Sequence, residues 1–467
     1  MRRLLGIALI VFGLWSCKSG QNYQGAEVLT YETYRTDDLT RTLDSFPVNV
    51  DTLFIDSAVN INWYSLFPDE VLQDLIQEAL ENNQDLQIAA ESIQQAQAAL
   101  VIQRSQMLPS IGYSAGAQRG NFAGLNLGST QNIFTGFGSV SWEIDFWGKY
   151  RRLNEAAQAA ILASEEGHRA VKLSLVNTVA TTYFRLLEYK MRLEISEQTL
   201  SLRDSMLSII EQRFDKGIIA EIDLNQAQIQ AAIAAGSIPI WERLIVSSEN
   251  LLSRLIGQLP DQKETGISLL EQPEDIVFPE ILPGELLVRR PDILIAEQDL
   301  IAANALLGSA KASRLPNISL SGLLGVTGSQ FSSLGSDGAS WNIGASILGP
   351  LFNWGALQRQ VDIEESRTRQ AVLNYERTVL SAYEEVENLL YSIESLKKEL
   401  IARKAHVEAA VKAQFLSQER YNQGVTSYLE YLESQRQAFD AQLNLAGTKQ
   451  ELLSAYSNLY AALGGGW

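Results

Sequence analysis

The sequence predicts an α+β membrane protein made of one unit written twice, with short amphipathic strands set between very long helices. Three observations predict it. The two halves of the 467-residue chain match without a gap at a shift of 207 residues. Four stretches alternate polar and apolar with period two. Two proline-free segments hold helical spacing far beyond the length of a globular helix.

The duplication is legible in residue pairs: Asp85 with Asp292, Leu108-Pro109 with Leu315-Pro316, Trp147-Gly148 with Trp354-Gly355, Arg213 with Arg420, and Gly257 with Gly464. The first unit covers 70–257 and the second 291–467, with a linker at 258–290 and an N-terminal stretch at 17–69. In the first unit, 70–107 reads as a helix stopped by Pro109. A hairpin follows over 109–147. Ile111, Tyr113, Ala115 and Ala117 form one apolar row, and Val140, Trp142, Ile144 and Phe146 another. Ser139, Ser141, Glu143 and Asp145 lie opposite the second row. From Lys149 to Arg213 apolar residues recur at three and four. At about 1.5 Å per residue that helix runs roughly 100 Å. A turn at 213–217 leads to a helix over 218–257. The second unit repeats this with a helix over 291–314, a hairpin over 316–354, a long helix over 356–419, a turn at 420–424 and a returning helix. Lengths and three/four spacing of this kind fit coiled-coil packing.

The amino terminus reads as an address. Met1-Arg2-Arg3 is basic, and Leu4 to Trp15 is apolar but shorter than the about 20 residues a spanning helix needs. The run ends at Cys17, the only cysteine in the chain. This resembles a bacterial lipoprotein signal over 1–16, with Cys17 as the lipidated amino terminus; an ordinary secretory signal is the alternative. No later run approaches transmembrane-helix length, so any crossing is made by strands.

Composition excludes several classes. Lys+Arg number 37 against 55 Asp+Glu, a net charge of -18, which argues against nucleic acid because phosphate binding needs a basic surplus. One cysteine and two histidines, His168 and His406, exclude disulfide scaffolds, multi-cysteine metal sites and a histidine metal triad. No metal or cofactor is expected. The carboxylate clusters Glu165-Glu166, Glu364-Glu365 and Glu384-Glu385-Glu387 read as solvated helix faces. With no phosphate loop or nucleophile elbow, an enzyme is not indicated.

Strands in a bilayer leave no room for an open edge, because unpaired N–H and C=O groups find no water there. Four strands cannot close a barrel, which takes about eight. Several chains must share one barrel: a dimer would supply eight strands and a trimer twelve. Glu143 and Asp145 would then line a wet pore, and Trp142, Phe146, Trp147, Trp341 and Trp354 an aromatic belt.

Specific stretches carry a resemblance. They are LPSIGYSAG at 108–116, SWEIDFWGK at 141–149, the Arg290-Pro291-Asp292 segment, WNIGASILGPLFNWG at 341–355, RYNQGVTSYLEYLESQ at 420–435 and ALGGGW at 462–467. From Asn62-Trp63 onward the chain resembles the TolC-type outer-membrane efflux channels, in their multidrug-efflux lipoprotein branch. The resemblance implies a homotrimer with a twelve-stranded barrel in the outer membrane and a long periplasmic α-helical barrel. It implies an equatorial region from 258–290, and the role of exit duct for small molecules. A periplasmic adaptor and an inner-membrane resistance-nodulation-division pump are the implied partners. It makes Arg213, Gly217, Arg420, Tyr421 and Gly424 adaptor-docking tips, and Glu430 with Glu433 an acidic aperture gate. Gly217 and Gly424 also fit the left-handed position that closes a helix. Arg290-Pro291-Asp292 reads as a helix start. Two rivals stay open: a helical scaffold lipoprotein without a pore, and the outer-membrane channel of a peptide or protein exporter.

Overall fold

The computed structural model describes residues 18–25, 67–120, 130–276, 284, 286–335 and 338–465. The signal over 1–16, Cys17, Asn62-Trp63 and Gly466-Trp467 lie outside the described residues. In chain order the first elements are α1 (Glu70–Asn82), α2 (Gln84–Ser105), β1 (Ser110–Gly120), β2 (Gln131–Ile144), α3 (Lys149–Asp215) and α4 (Glu221–Leu255). A short α5 (Leu286–Arg289) precedes α6 (Pro291–Ala312), β3 (Asn317–Gly328), β4 (Ser340–Leu348), α7 (Ala356–Asn422) and α8 (Tyr428–Ala462). The bounds of α6, α7 and α8 lie 207 residues beyond those of α2, α3 and α4 at both ends.

One expected element divides. The helix expected over 70–107 breaks at Asn83, whose backbone is extended (ψ 129). Its Oδ1 accepts from Leu86 N–H at 3.1 Å and its Nδ2 donates to the Leu255 carbonyl at 2.9 Å. Asparagine is a preferred helix N-cap, so the chain restarts there. The expected tip turns also shift: α3 runs to Asp215 and α7 to Asn422, so Arg213, Arg420 and Tyr421 belong to last helical turns.

The chain divides into two compact units. Unit one comprises residues 1–28, 91–166 and 294–378; unit two comprises 29–90, 167–293 and 379–467.

Unit one holds an antiparallel sheet in the order β1-β2-β3-β4. Its register keeps the expected faces whole. Ile111 opposes Val140, Trp142 opposes Leu320, Ile144 opposes Ile318, Ile318 opposes Ile347, and Leu324 opposes Trp341. On the other face Ser110 opposes Ser141, Glu143 opposes Ser319, and Ser319 opposes Ser346. Serine hydroxyls bond across the strands at 2.7 Å (Ser110, Ser141) and 2.8 Å (Ser319, Ser346). The apolar face is uncovered by its own chain, with Ile111, Tyr113, Trp341, Ile343 and Ile347 all at least 70% exposed. At the foot of the sheet Trp147 Nε1–H donates to the Pro316 carbonyl at 2.8 Å. Gly148 and Gly355 take positive φ (77° and 79°), as expected at these corners.

Unit two has its core along the middle of α3, where Val179, Ala180, Tyr183, Phe184 and Leu186 are fully buried. Buried Asp69 accepts from Tyr183 Oη (2.8 Å) and Gln272 Nε2 (2.7 Å), tying α3 to the linker. Lys449 on α8 is completely enclosed and donates to the Gln272 carbonyl at 2.6 Å, with Glu274 at 3.4 Å. Arg290 donates to the Ala462 carbonyl at 2.7 Å and pairs with Asp292 and Glu385, both at 2.8 Å. The motif therefore joins the start of α6 to the end of α8, beyond the plain helix start expected.

Two helices, α4 and α6, are long and apolar enough to cross a membrane by length and composition, against the expectation that none would be. In α4 the apolarity comes from alanine and isoleucine. Ala227, Ala231 and Ala234 are buried, while Ile222, Ile229, Ile233 and Ile240 are exposed. At 100° per residue these are opposite faces of the helix.

Candidate functional site

The two tip turns are built alike. Gly217 N–H donates to the Phe214 carbonyl (2.7 Å) and Ile218 N–H to Arg213 (2.9 Å). Gly424 N–H donates to Tyr421 and Val425 N–H to Arg420, both at 3.0 Å. Both glycines take left-handed φ, 68° and 72°. This double bond pattern is the Schellman closure, which needs a residue without Cβ strain. The expected tip residues are thus brought together in unit two. Arg213 lies over the Tyr421 ring at 5.1 Å, and Tyr421 stacks on Tyr431 at 6.0 Å with an interplanar angle of 9°.

Beneath the tips Met206, Ile210, Ala227, Tyr421, Tyr428, Tyr431 and Leu432 form a buried cluster. Burial raises the Tyr428 phenol well above its ordinary value, with the neighbouring Tyr421 and Tyr431 adding to the effect. Buried Arg203 donates to the Gln230 carbonyl at 2.8 Å and lies over Phe439. The sequence pattern does not set Tyr428 or Tyr431 apart, because aromatic and aliphatic residues at helical spacing all read as core, and Arg203 reads as one more charged position on a long helix.

The two expected aperture carboxylates lie on the exposed face of α8, opposite its buried Tyr431, Leu432 and Gln435. Neither stands unneutralised. Glu430 meets Arg420 at 2.8 Å and accepts from Thr426 Oγ1. It is also the third residue after the N-cap Ser427, whose hydroxyl accepts from its N–H. Glu433 accepts from Arg436 Nη2 (2.7 Å) and Nε (3.0 Å) and from Gln437 Nε2 (2.9 Å). The bonds from Arg436 and Gln437 hold its carboxyl below the ordinary value. The i, i+3 spacing of Glu433 and Arg436 is the signal that marks this pair in the sequence.

In unit one the structure places Glu143 and Asp145 at the foot of β2, both engaged. Glu143 accepts from Tyr150 Oη at 3.0 Å and meets Lys149 at 3.4 Å. Asp145 lies one residue past the strand. It accepts from the N–H groups of Tyr150 (3.0 Å) and Arg151 (2.9 Å), which satisfies free donors at the start of α3.

A four-stranded sheet with an uncovered apolar face, very long helices and two tip turns of like geometry are also the features of outer-membrane channels, as comparison with known proteins shows. The model of the family described as outer membrane efflux protein matches residues 75–258 and again 282–465. The solvent efflux pump outer membrane protein SrpC of Pseudomonas putida is 35% identical over 412 residues, 86% of each chain. The cation efflux system protein CusC of Escherichia coli K12 is 32% identical over 416 residues, 88% of this chain and 90% of that one. The crystal structure of the Campylobacter jejuni outer membrane channel CmeC superposes with a TM-score of 0.86 at 26% identity, covering 97% of this chain and 95% of that one. The open state of the Neisseria gonorrhoeae channel MtrE gives 0.83 at 27%, covering 96% and 98%. The chain belongs to the outer membrane efflux protein family, and its place is the outer membrane.

Proposed function

We propose that three copies of this chain form a passive exit duct in the outer membrane, through which small molecules leave after an inner-membrane pump delivers them by way of a periplasmic adaptor. One observation carries the reading. The sheet has a continuous apolar face exposed on its own chain, and β1 and β4 stand at its edges. A bilayer accepts such a sheet only when neighbouring copies pair those edges, and three copies give twelve strands. The isoleucine stripe of α4, exposed in the single chain, supports a second self-association surface on the helical part.

The matching element bounds and the two family matches at one shift support an internal duplication, with units over 70–257 and 291–467 about a linker at 258–290. Arg213, Gly217, Arg420, Tyr421 and Gly424 are the adaptor-docking tips, six turns per trimer. Glu430 and Glu433 ring the periplasmic aperture. Glu143 and Asp145 stand where the lumen meets the foot of the barrel. Cys17 carries the lipid anchor. The chain acts by shape and charge, without catalysis.

Extraction from outer membranes in mild detergent tests this. A heat-modifiable species of three chains is expected. A monomer released by removing the lipid alone would favour the scaffold reading.

A further inference from the structure

Residues 18–23 are tied down in unit one, with one side chain at the centre of the contacts. Arg152, in the first turns of α3, is completely buried. All five of its N–H donors are used. Nε donates to the Ser19 carbonyl at 3.0 Å, and Nη2 to the carbonyls of Gly20 (2.7 Å) and Gln21 (3.0 Å). Nη1 donates to both oxygens of Glu155, at 3.2 and 3.0 Å. Further bonds surround this fork. Ser19 N–H donates to the Trp147 carbonyl at 3.1 Å, and Lys18 meets Glu155 at 2.7 Å. Asn304 Nδ2 reaches the Gln21 carbonyl at 3.2 Å, and Tyr23 Oη donates to Glu297 at 3.3 Å. Gly20 has φ 83°, and a Cβ there would stand 3.0 Å from Gly308 Cα. Ser19 to Gln21 lie against the start of α3 and against α6, with the outer side of the segment open to solvent.

The second copy of the same corner supplies the contrast. At the positions 207 residues on, Arg359 pairs with Asp362 at 2.7 Å, as Arg152 pairs with Glu155. Among the described residues no peptide lies over Arg359, and its side chain is 79% exposed. One arginine–acid pair is bare, and its counterpart is buried under the start of the mature chain. Three of the five Arg152 donors aim at peptide carbonyls. Lifting the segment would break three charge-assisted bonds and open Arg152 to water, as Arg359 is open.

We propose that Arg152, with the Trp147 carbonyl, Asn304 and Glu297, forms a docking site for the mature amino terminus. The site fixes the lipid anchor to the strand-to-helix corner beside Trp147, at the rim of the barrel. The proposal rests on Cys17 as the lipidated residue, one position before Lys18.

Trypsin tests it, because cleavage after Lys18 separates a lipidated Cys17 from the rest of the chain. Protein labelled with palmitate in cells, purified in detergent, is digested briefly as wild type, Arg152→Gln and Gly20→Val. The wild type is expected to keep the Lys18–Ser19 bond, read from the mass of the released lipopeptide so that cuts at Arg35 and Arg41 are counted apart. Both variants should lose it about tenfold faster while still migrating as assembled protein, since local opening exposes the bond. Gly20→Val alters the segment alone, so a folding fault in Arg152→Gln does not decide the result. Equal rates in all three overturn the docking site. A wild type that takes up no palmitate overturns the anchor at Cys17, and with it this proposal, while leaving the channel reading untouched.

Discussion

Arg436 grips Glu433 with two donors, at 2.7 and 3.0 Å, and extends a third to Asp440 at 3.1 Å. The carboxylate assigned to the aperture therefore carries a counter-charge within one helical turn. Arg436→Gln is expected to raise the cation preference of the channel, by roughly twofold because exposed charges are screened. Glu433→Gln should move it the other way, and the double variant should return near wild type. Reversal potentials across a salt gradient measure this. Arg436 also holds the Glu433 carboxyl below its ordinary value. Wild-type selectivity should hold until the pH falls beneath the usual carboxylate range, and Arg436→Gln should begin to lose it at higher pH.

A Cβ at Gly217 or Gly424 meets nothing within 4 Å. A side chain there carries the strain of the left-handed conformation, about 1–2 kcal/mol for an ordinary residue and more for β-branched valine. The strain is local to the tip. Either substitution should weaken adaptor capture while assembly and melting temperature stay close to wild type. Binding to an immobilised adaptor and a thermal melt, run side by side, separate the two effects.

The sheet register makes a paired test of which face meets lipid. Ile343 lies on the exposed apolar face, and its neighbour Asn342 lies on the other. Arginine on a lipid face costs about 2–4 kcal/mol at mid-bilayer depth. Ile343→Arg should sharply reduce the assembled protein recovered from outer membranes. Asn342→Arg should leave recovery intact. Equal recovery for both would contradict the assigned faces.

Lys449 is enclosed, and Glu274 is the acid that answers it, shared with Lys404 at 2.6 Å. Glu274→Gln should lower stability by roughly 2 kcal/mol, the scale of a hydrogen bond to a charged group. Partial burial pushes the Glu274 carboxyl up, but the Lys404 bond and the charges of Lys449 and Lys404 outweigh it and leave it low. A depressed acid stabilises fully above its unfolded value, and that contribution disappears as pH falls through the folded one. Melting temperature should therefore drop on acidification below the carboxylate range, and the drop should shrink in Glu274→Gln.

Much of this architecture is legible because its causes are local. Period-two rows around Val140 and Ile343 dictate which side chains share a face, so the register follows the rows. Gly217 and Gly424 mark helix ends because few other residues tolerate that φ. The break at Asn83 is hidden because helical spacing continues on both sides of it. The seat of residues 18–25 is hidden for another reason. Arg152 binds main-chain carbonyls, and a carbonyl has no sequence signature. The tip cluster falls between these cases: Tyr421, Tyr428 and Tyr431 have core spacing, and only the structure stacks two of them under Arg213.

The most direct measurement is single-channel recording of the purified protein in a planar lipid bilayer. The account predicts discrete conductance steps from a particle of three chains, with cation preference altered by Glu433→Gln. A folded preparation from outer membranes that inserts without conducting would contradict it.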